Sequence, residues 1–371
     1  MKFIDLKTQY ARIEHGVHTR IQAVLEHGQY ILGPEVRELE AILAEYTGAS
    51  HCVSCSSGTD ALLMTLMGWG IGPGDAVFTT PFTFMATAES IALLGATPVF
   101  VDIDPDTLNI DPAQLPEAIE KVKNEGRFTP KVILPVDIFG LPVDHDRTAA
   151  IARQYGLLVF DDAAQAFGAS IDGRRTGNFG DATAVSFFPA KPLGAYGDGG
   201  AIFTNDGELA ARLESIRMHG QGGDRYSNVR LGLNGRLDTL QAAILLEKMT
   251  LFDEEIELRQ EVADGYARRL ATKVAVPRVP AGYRSVWAQY CPLAASAEER
   301  EAILARLNEA DIPSAVYYRI PLHLQEAFQS LGYRRGSMPI TEDVCNRVFA
   351  LPMHPYLDDA QLDEIARVLQ D

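Results

Sequence analysis

Cysteine is scarce in this chain, and positive charge is outweighed. Four cysteines among 371 residues make no disulfide framework in a protein this long. Two of them, Cys52 and Cys55, stand as C-x-x-C in "HCVSCSSGTDALL", but no second such pair completes a tetrahedral metal set. The pair reads as small residues in a strand and its following turn, and no metal is expected. Lysine and arginine number 33 against 50 acidic residues, a net charge of −17. Such a chain repels phosphate backbones, so nucleic acid is not an expected partner, and an anionic ligand needs a locally basic pocket. No apolar run approaches the roughly 20 residues of a membrane-crossing helix, so no membrane partner is expected. The opening "MKFIDLKTQYARIEHG" is charged throughout and is not a secretory signal, which makes the cytoplasm the expected location.

Familiar catalytic signatures are missing too. No lysine follows a glycine, which rules out the phosphate-binding G-x-x-x-x-G-K-[ST] loop. "GWGIGPGD" follows a helix and lacks the G-x-G-x-x-G spacing of dinucleotide folds. Neither H-E-x-x-H nor G-x-S-x-G occurs. The closest histidine pair, His15 and His18, lies in an amphipathic N-terminal helix and reads as a solvated face.

What is present is a rhythm. "HCVSCSS" is a short strand, and "GTDALLMTLMGWG" is an apolar-periodic helix ended by glycines. "DAVFTTPFTF", "TPVFVDID", "KVILPVDIFG", "GLLVFDDAAQAFG", "DATAVSFF" and "GGAIFTND" read as further strands. Helices such as "ATAESIALLG" and "DRTAAIARQYG" separate several of them. That alternation predicts a large, mainly parallel α/β sheet. A long helix over "LDTLQAAILLEKMTLFDEEIELRQEVADGYARRLA" then leads to a smaller C-terminal α/β unit. That unit has a strand near "WAQYCPLAA", a helix in "AEEREAILARLNEADI" and a terminal helix in "DDAQLDEIARVLQ". The expected domains are residues 1–255 and 256–371.

Four stretches carry chemistry together. In "SSGTDALL" small residues open a helix, whose N-terminal N–H groups suit a phosphate. Gly58 lets the anion approach and the Thr59 hydroxyl adds a donor. In "LLVFDDAAQAFG", Asp161 and Asp162 end an apolar strand, where ligand sites of parallel sheets gather. One of the two aspartates can cap the following helix, and the other can pair with a protonated ring nitrogen. Gln165 lies within reach of a phenolate oxygen on the same ring. In "SFFPAKPLGAYGDGG", Lys191 sits in apolar surroundings, which lower its pKa and free the amine as a nucleophile of the Schiff-base kind. Ser186, at a strand end five residues earlier, can reach the same phosphate as Thr59. In "LGLNGRLDTLQAAIL", Asn234 and Arg236 precede a helix and offer donors to an anion.

With "PFTFMATAESIALLGATPVFVDID", these segments resemble the DegT/DnrJ/EryC1/StrS aminotransferases, from "FIDLKTQY" at the start to "ALPMHPYL" near the end. The resemblance implies the fold of type I pyridoxal phosphate-dependent transferases, with a mainly parallel sheet of the seven-stranded type. It makes Lys191 the Schiff-base lysine and assigns Asp162 to the pyridine nitrogen. Gln165 would contact the phenolic oxygen, while Gly58, Thr59 and Ser186 would bind the phosphate. Asn234 would reach that phosphate from the partner of a homodimer with shared active sites. Phe84, in the T-F-x-A-T position, would stack on the ring, and Tyr317 and Tyr318 would approach the sugar nucleotide. Arg319 stands where the family usually has proline.

The implied reaction takes an amino group from L-glutamate and gives it to a nucleotide-linked keto-sugar, with Lys191 as covalent anchor and acid–base. The implied acceptor is UDP-2-acetamido-2-deoxy-3-oxo-glucuronate, aminated at C3 for surface polysaccharide such as lipopolysaccharide O-antigen. A dTDP-linked 3-keto- or 4-keto-6-deoxyhexose is the alternative. Arg225, Arg230, Arg236 and Arg319 are the expected cations for its carboxylate and diphosphate. A family branch that deoxygenates sugars carries histidine in place of this lysine, so Lys191 counts against it. A regulatory homologue would show losses in the cofactor set, and none appear.

Overall fold

The computed structural model describes residues 1–224 and 226–369. Among them the strands are β1 His51–Cys55, β2 Asp75–Thr79, β3 Thr97–Phe100, β4 Thr129–Leu134 and β5 Leu158–Asp162. They continue with β6 Ser170–Ile171, β7 Arg174–Arg175, β8 Ala182–Ser186, β9 Gly200–Thr204 and β10 Tyr283–Arg284. Seven make one sheet in the order β1-β9-β8-β5-β4-β2-β3. The pairings from β8 to β3 are parallel, and β9 runs antiparallel to both β8 and β1. The expectation of a mainly parallel seven-stranded sheet is met.

Both faces of this sheet are buried because successive strand residues point to opposite sides. In β2, Val77 enters one core while Ala76 and Phe78 enter the other. In β9, Ile202 faces away from Ala201 and Phe203. Helices α1 Leu6–His27 and α2 Pro34–Thr47 precede the sheet. On the face reached by Val77 lie α3 Gly58–Gly68, α4 Met85–Leu93 and, later in the chain, α7 Gly207–Ile216. The opposite face carries α5 Leu115–Glu125 and α6 His145–Tyr155 near β2 and β4. Farther along that face, α2 and the 32-residue helix α8, Thr239–Leu270, pack on β8 and β9.

Helix α8 passes residue 255 without a break. Phe252 and Ile256 still belong to the sheet core, whereas Val262, Tyr266 and Leu270 enter a second core with α9 Ala297–Glu309 and α11 Asp359–Val368. Helix α10, Pro339–Arg347, also belongs to the C-terminal part. The strand expected near "WAQYCPLAA" does not form. Tyr290 bridges Leu351, and Leu293 bridges Val348 and Ala275, all as isolated pairs, and Pro292 between them has no N–H for a ladder. Just before it, β10 joins β6, so this segment is tied to the large sheet's neighbourhood.

The stretch after β5 is fixed by aromatic packing. Phe167 lies 5.9 Å from Phe203 and 5.4 Å from Phe252, centroid to centroid. Each such pair contributes about 0.5–1.5 kcal/mol beyond burial, which pins residues 163–167 against the sheet. Cys52 and Cys55 are free thiols three apart in β1, so they lie on opposite faces and share no site. No described helix is long and apolar enough to cross a membrane.

Candidate active site

A cleft of about 1250 Å³, open mouth included, lies where β5 and β8 end. This is the edge at which parallel sheets place ligands, and the space exceeds what one small cofactor fills. Its floor corner is the N-terminus of α3. Ser57 caps that helix by accepting the Asp60 N–H at 3.0 Å, leaving the first-turn N–H groups of Gly58 and Thr59 without helical partners. A Cβ on Gly58 would stand 2.7 Å from Ser186 Cβ, so glycine is what lets the end of β8 meet the helix. Gly200 in β9 serves the same approach, since its Cβ would fall 2.5 Å from the Ser57 carbonyl. Gly58, Thr59 and Ser186 thus converge on one donor-rich corner of the cleft.

Asp162 ends β5 and is 3% exposed. Thr87 donates its hydroxyl to Oδ2 at 2.7 Å, and the Ala164 N–H reaches Oδ1 at 3.2 Å. Burial raises the Asp162 pKa, opposed by those two hydrogen bonds and by the Lys191 charge. A buried carboxylate steadied in this way is suited to a cationic ring N–H. Gln165 accepts the Phe139 N–H through Oε1 at 2.9 Å and donates Nε2 to the Tyr318 hydroxyl at 3.2 Å. The amide is therefore oriented, its nitrogen toward the cleft side.

Lys191 lines the same cleft. Its loop closes on itself through Ala195 N–H to Phe187 O at 2.7 Å, a turn that needs Gly194, whose Cβ would fall 2.4 Å from the Pro189 carbonyl. Burial pulls the Lys191 pKa down to about 8, and the Asp162 charge holds it from falling further. Phe84, 61% exposed, stands at the start of α4 with its ring at the cleft, and Tyr317 and Tyr318 close the opposite wall.

Nine of the sequence-derived positions thus gather in one chain's cleft, and Asn234, Arg230 and Arg236 stand apart. Those three precede α8 on the segment 218–236, where Asn234 and Arg230 are exposed. Arg236 lies half-buried with Nη1 3.8 Å from the Met218 sulfur. Arg225 lies outside the described residues. Arg319 is exposed and pairs at 3.4 Å with Glu301 of α9. Asp161 faces away from Asp162 and does not cap a helix. Thr87 and Gln289 were missed by the sequence reading. Thr87 could have been found from its place one helical turn past Phe84, whereas Gln289 arrives from the C-terminal part and carries no local signal.

The sequence matches the DegT/DnrJ/EryC1/StrS aminotransferase family over residues 12–370, and the chain belongs to that family. It is 50% identical over 372 residues to the UDP-2-acetamido-2-deoxy-3-oxo-D-glucuronate aminotransferase of Pseudomonas aeruginosa, spanning 100% of this chain and 99% of the relative. Among solved structures it superposes with a TM-score of 0.97 on a DegT DnrJ EryC1 StrS aminotransferase from Brucella abortus, at 50% identity over 100% and 98% of the two chains. The NtdA structure from Bacillus subtilis, solved with bound cofactor PMP, gives a TM-score of 0.89 at 30% identity over 100% and 83%.

Proposed function

We propose that this protein is a pyridoxal phosphate-dependent aminotransferase that moves an amino group from L-glutamate to C3 of UDP-2-acetamido-2-deoxy-3-oxo-glucuronate. The observation that carries the reaction class is the convergence in one cleft of a lysine with pKa about 8, a buried carboxylate and an uncovered helix N-terminus. The residues fit the cofactor: the Gly58 cradle has no room for a side chain, and Asp162 is a buried carboxyl group that lines the cleft. Gly58, Thr59 and Ser186 would hold its phosphate, Asp162 its ring nitrogen, Gln165 its phenolic oxygen and Phe84 its ring face. When bound, the cofactor supplies an electron sink and a carrier for the amino group.

Lys191 would anchor the cofactor through its amine and act as the group that takes and returns a proton at the donor's α-carbon. A pKa of about 8 leaves a share of neutral amine near neutral pH, which is what a base at that position needs. Asp162 keeps its neighbour's proton affinity from dropping lower and gives the ring nitrogen a counter-charge. Tyr317 and Tyr318 close the wall against which the sugar nucleotide would lie.

The likeness to the Pseudomonas aeruginosa enzyme supports the uronate acceptor. A carboxylate and a diphosphate in a protein of net charge −17 need local cations. Arg230 and Arg236 of a second copy would supply them, and Asn234 of that copy would complete the phosphate site. The exposed side chains of Val229 and Leu231, at 60% and 87%, suit burial in such a homodimer. The product would feed lipopolysaccharide O-antigen synthesis in the cytoplasm. Single-turnover reaction of the pyridoxamine-loaded protein with matched keto-sugars tests the acceptor. Faster amination of a dTDP-linked 3-keto- or 4-keto-6-deoxyhexose than of the UDP-linked 3-keto uronate would overturn it and leave the reaction class standing.

A further inference from the structure

Behind the cleft, on the far side of β5 from Asp162, three ionisable side chains are sealed from water. Asp137 and Asp161 are fully buried and His145 is 3% exposed. His145 Nε2 stands 3.3 Å from Asp137 Oδ1 and 3.8 Å from Asp161 Oδ2. Its ring stacks on Phe179 at 4.2 Å and 4°. The trio has the composition of a metal site, but a ligating imidazole ordinarily donates its second N–H to an anchor. Neither His145 ring nitrogen has a hydrogen-bond partner among the described residues, so no such anchor is present and the three side chains face one another directly.

The cluster closes the base of a loop that reaches the cleft. Asp137 Oδ1 also accepts the Val143 N–H at 2.8 Å, and His145 donates its own N–H to the Val143 carbonyl at 2.8 Å. Asp137 and Asp162 are joined along the backbone, Asp137 N–H to Asp162 O at 3.1 Å. Between these ties, Phe139 is held in the left-handed region at φ 57°, followed by Gly140 at φ 97°. A non-glycine residue there is strained and persists only when its surroundings hold it. That strained residue supplies the N–H which orients Gln165. Burial, then the charges of Asp137 and Asp162, push the Asp161 pKa up.

We propose that Asp137, His145 and Asp161 form a buried clamp that holds the Phe139 N–H on Gln165 and thereby keeps the Gln165 amide nitrogen turned toward the cofactor's phenolic oxygen. His145 is then a positioning residue, acting through loop 137–145 and never touching substrate. Opening the clamp lets Phe139 relax, and the freed amide can rotate to present its oxygen instead. The inference rests on the reading of Gln165 as a cofactor contact.

The test compares Kd for pyridoxal phosphate with Kd for its 3-deoxy analogue, which lacks the phenolic oxygen, on the full-length apoprotein. Wild type should favour pyridoxal phosphate, and Gln165→Ala should lose that preference. His145→Gln should lose about tenfold in affinity for pyridoxal phosphate, the worth of one hydrogen bond of about 1.4 kcal/mol, while binding the analogue as wild type does. If His145→Gln does not fold, Asp161→Asn, which keeps the side chain's shape, should show the same selective loss. An unchanged preference in the variant that folds, or an equal loss for both ligands, overturns the clamp. So does one equivalent of divalent metal retained through dialysis. A wild type and a Gln165→Ala protein with the same ratio would instead remove the assignment of Gln165.

Discussion

Lys191 and Asp162 act on each other at the scale of single residues. Burial lowers the lysine pKa to about 8 and the Asp162 charge opposes that fall, so the two positions are coupled through charge. Only the neutral amine attacks an aldehyde, and its fraction grows with pH up to the pKa. Capture of pyridoxal phosphate by the apoprotein should therefore speed up about tenfold per pH unit below the midpoint and level off above about 8. Asp162→Asn removes the charge that raises the lysine pKa, so the midpoint should move lower and capture at neutral pH should quicken. Turnover should move the other way, falling by two or more orders of magnitude, because losing a partner of a buried charge costs about 3–5 kcal/mol. Stopped-flow absorbance against pH, with steady-state rates on the same two proteins, checks both. A midpoint that stays put in the variant would mean the two side chains do not sense each other.

Among the elements, α3 is the one whose placement makes the site. Its N-terminus can meet β8 only because residue 58 has no side chain, and β9 meets it only at Gly200. Gly58→Ala puts a methyl group 2.7 Å from Ser186 Cβ, and the strand end or the helix must move. Overpacking of this kind costs about 1–3 kcal/mol, so the urea midpoint should drop by a corresponding amount. The same methyl group crowds Ser186 at the corner read as the phosphate site, and pyridoxal phosphate affinity should fall more than tenfold. Isothermal titration beside the unfolding curve separates the two effects, and a variant that loses stability but binds normally would remove Gly58 from the phosphate site. Elements also mark where local signals mislead. "WAQYCPLAA" has the apolar alternation of a strand, yet Pro292 and a left-handed Trp287 at φ 51° break it into isolated bridges.

At the scale of the whole molecule, the cleft of one chain lacks Asn234, which waits on the exposed segment before α8. If the site is completed by a second copy, two inactive variants should repair each other. Lys191→Ala and Asn234→Ala proteins, unfolded and refolded together, should recover roughly a quarter of wild-type activity, since half of the dimers are mixed and each mixed dimer keeps one intact site. Each variant refolded alone gives the baseline. Absence of recovery, with dimers present by sedimentation, would make Asn234 a residue of its own subunit.

Much of this protein was legible before any coordinates. Strand–helix alternation determines a mainly parallel sheet, because a strand buried on both faces reads as an apolar run and its crossover reads as a helix. Motifs that sit at strand ends carry their own context, which is why Gly58, Gln165, Ser186 and Lys191 could be singled out as candidates from residues alone. Other features depend on what the chain brings together from a distance. Which of two adjacent aspartates faces the cleft follows from the pleat of β5, and nothing within "FDD" distinguishes them locally. Thr87 on Asp162, Phe139 on Gln165 and His145 between two aspartates join residues 75, 26 and 8 to 16 positions apart, distances at which spacing carries no information. The sequence determined the sheet, the helix whose N-terminus opens on the cleft and the lysine beside it. Only the tertiary structure decided how those groups are oriented, because orientation comes from packing and hydrogen bonds between segments that are strangers along the chain.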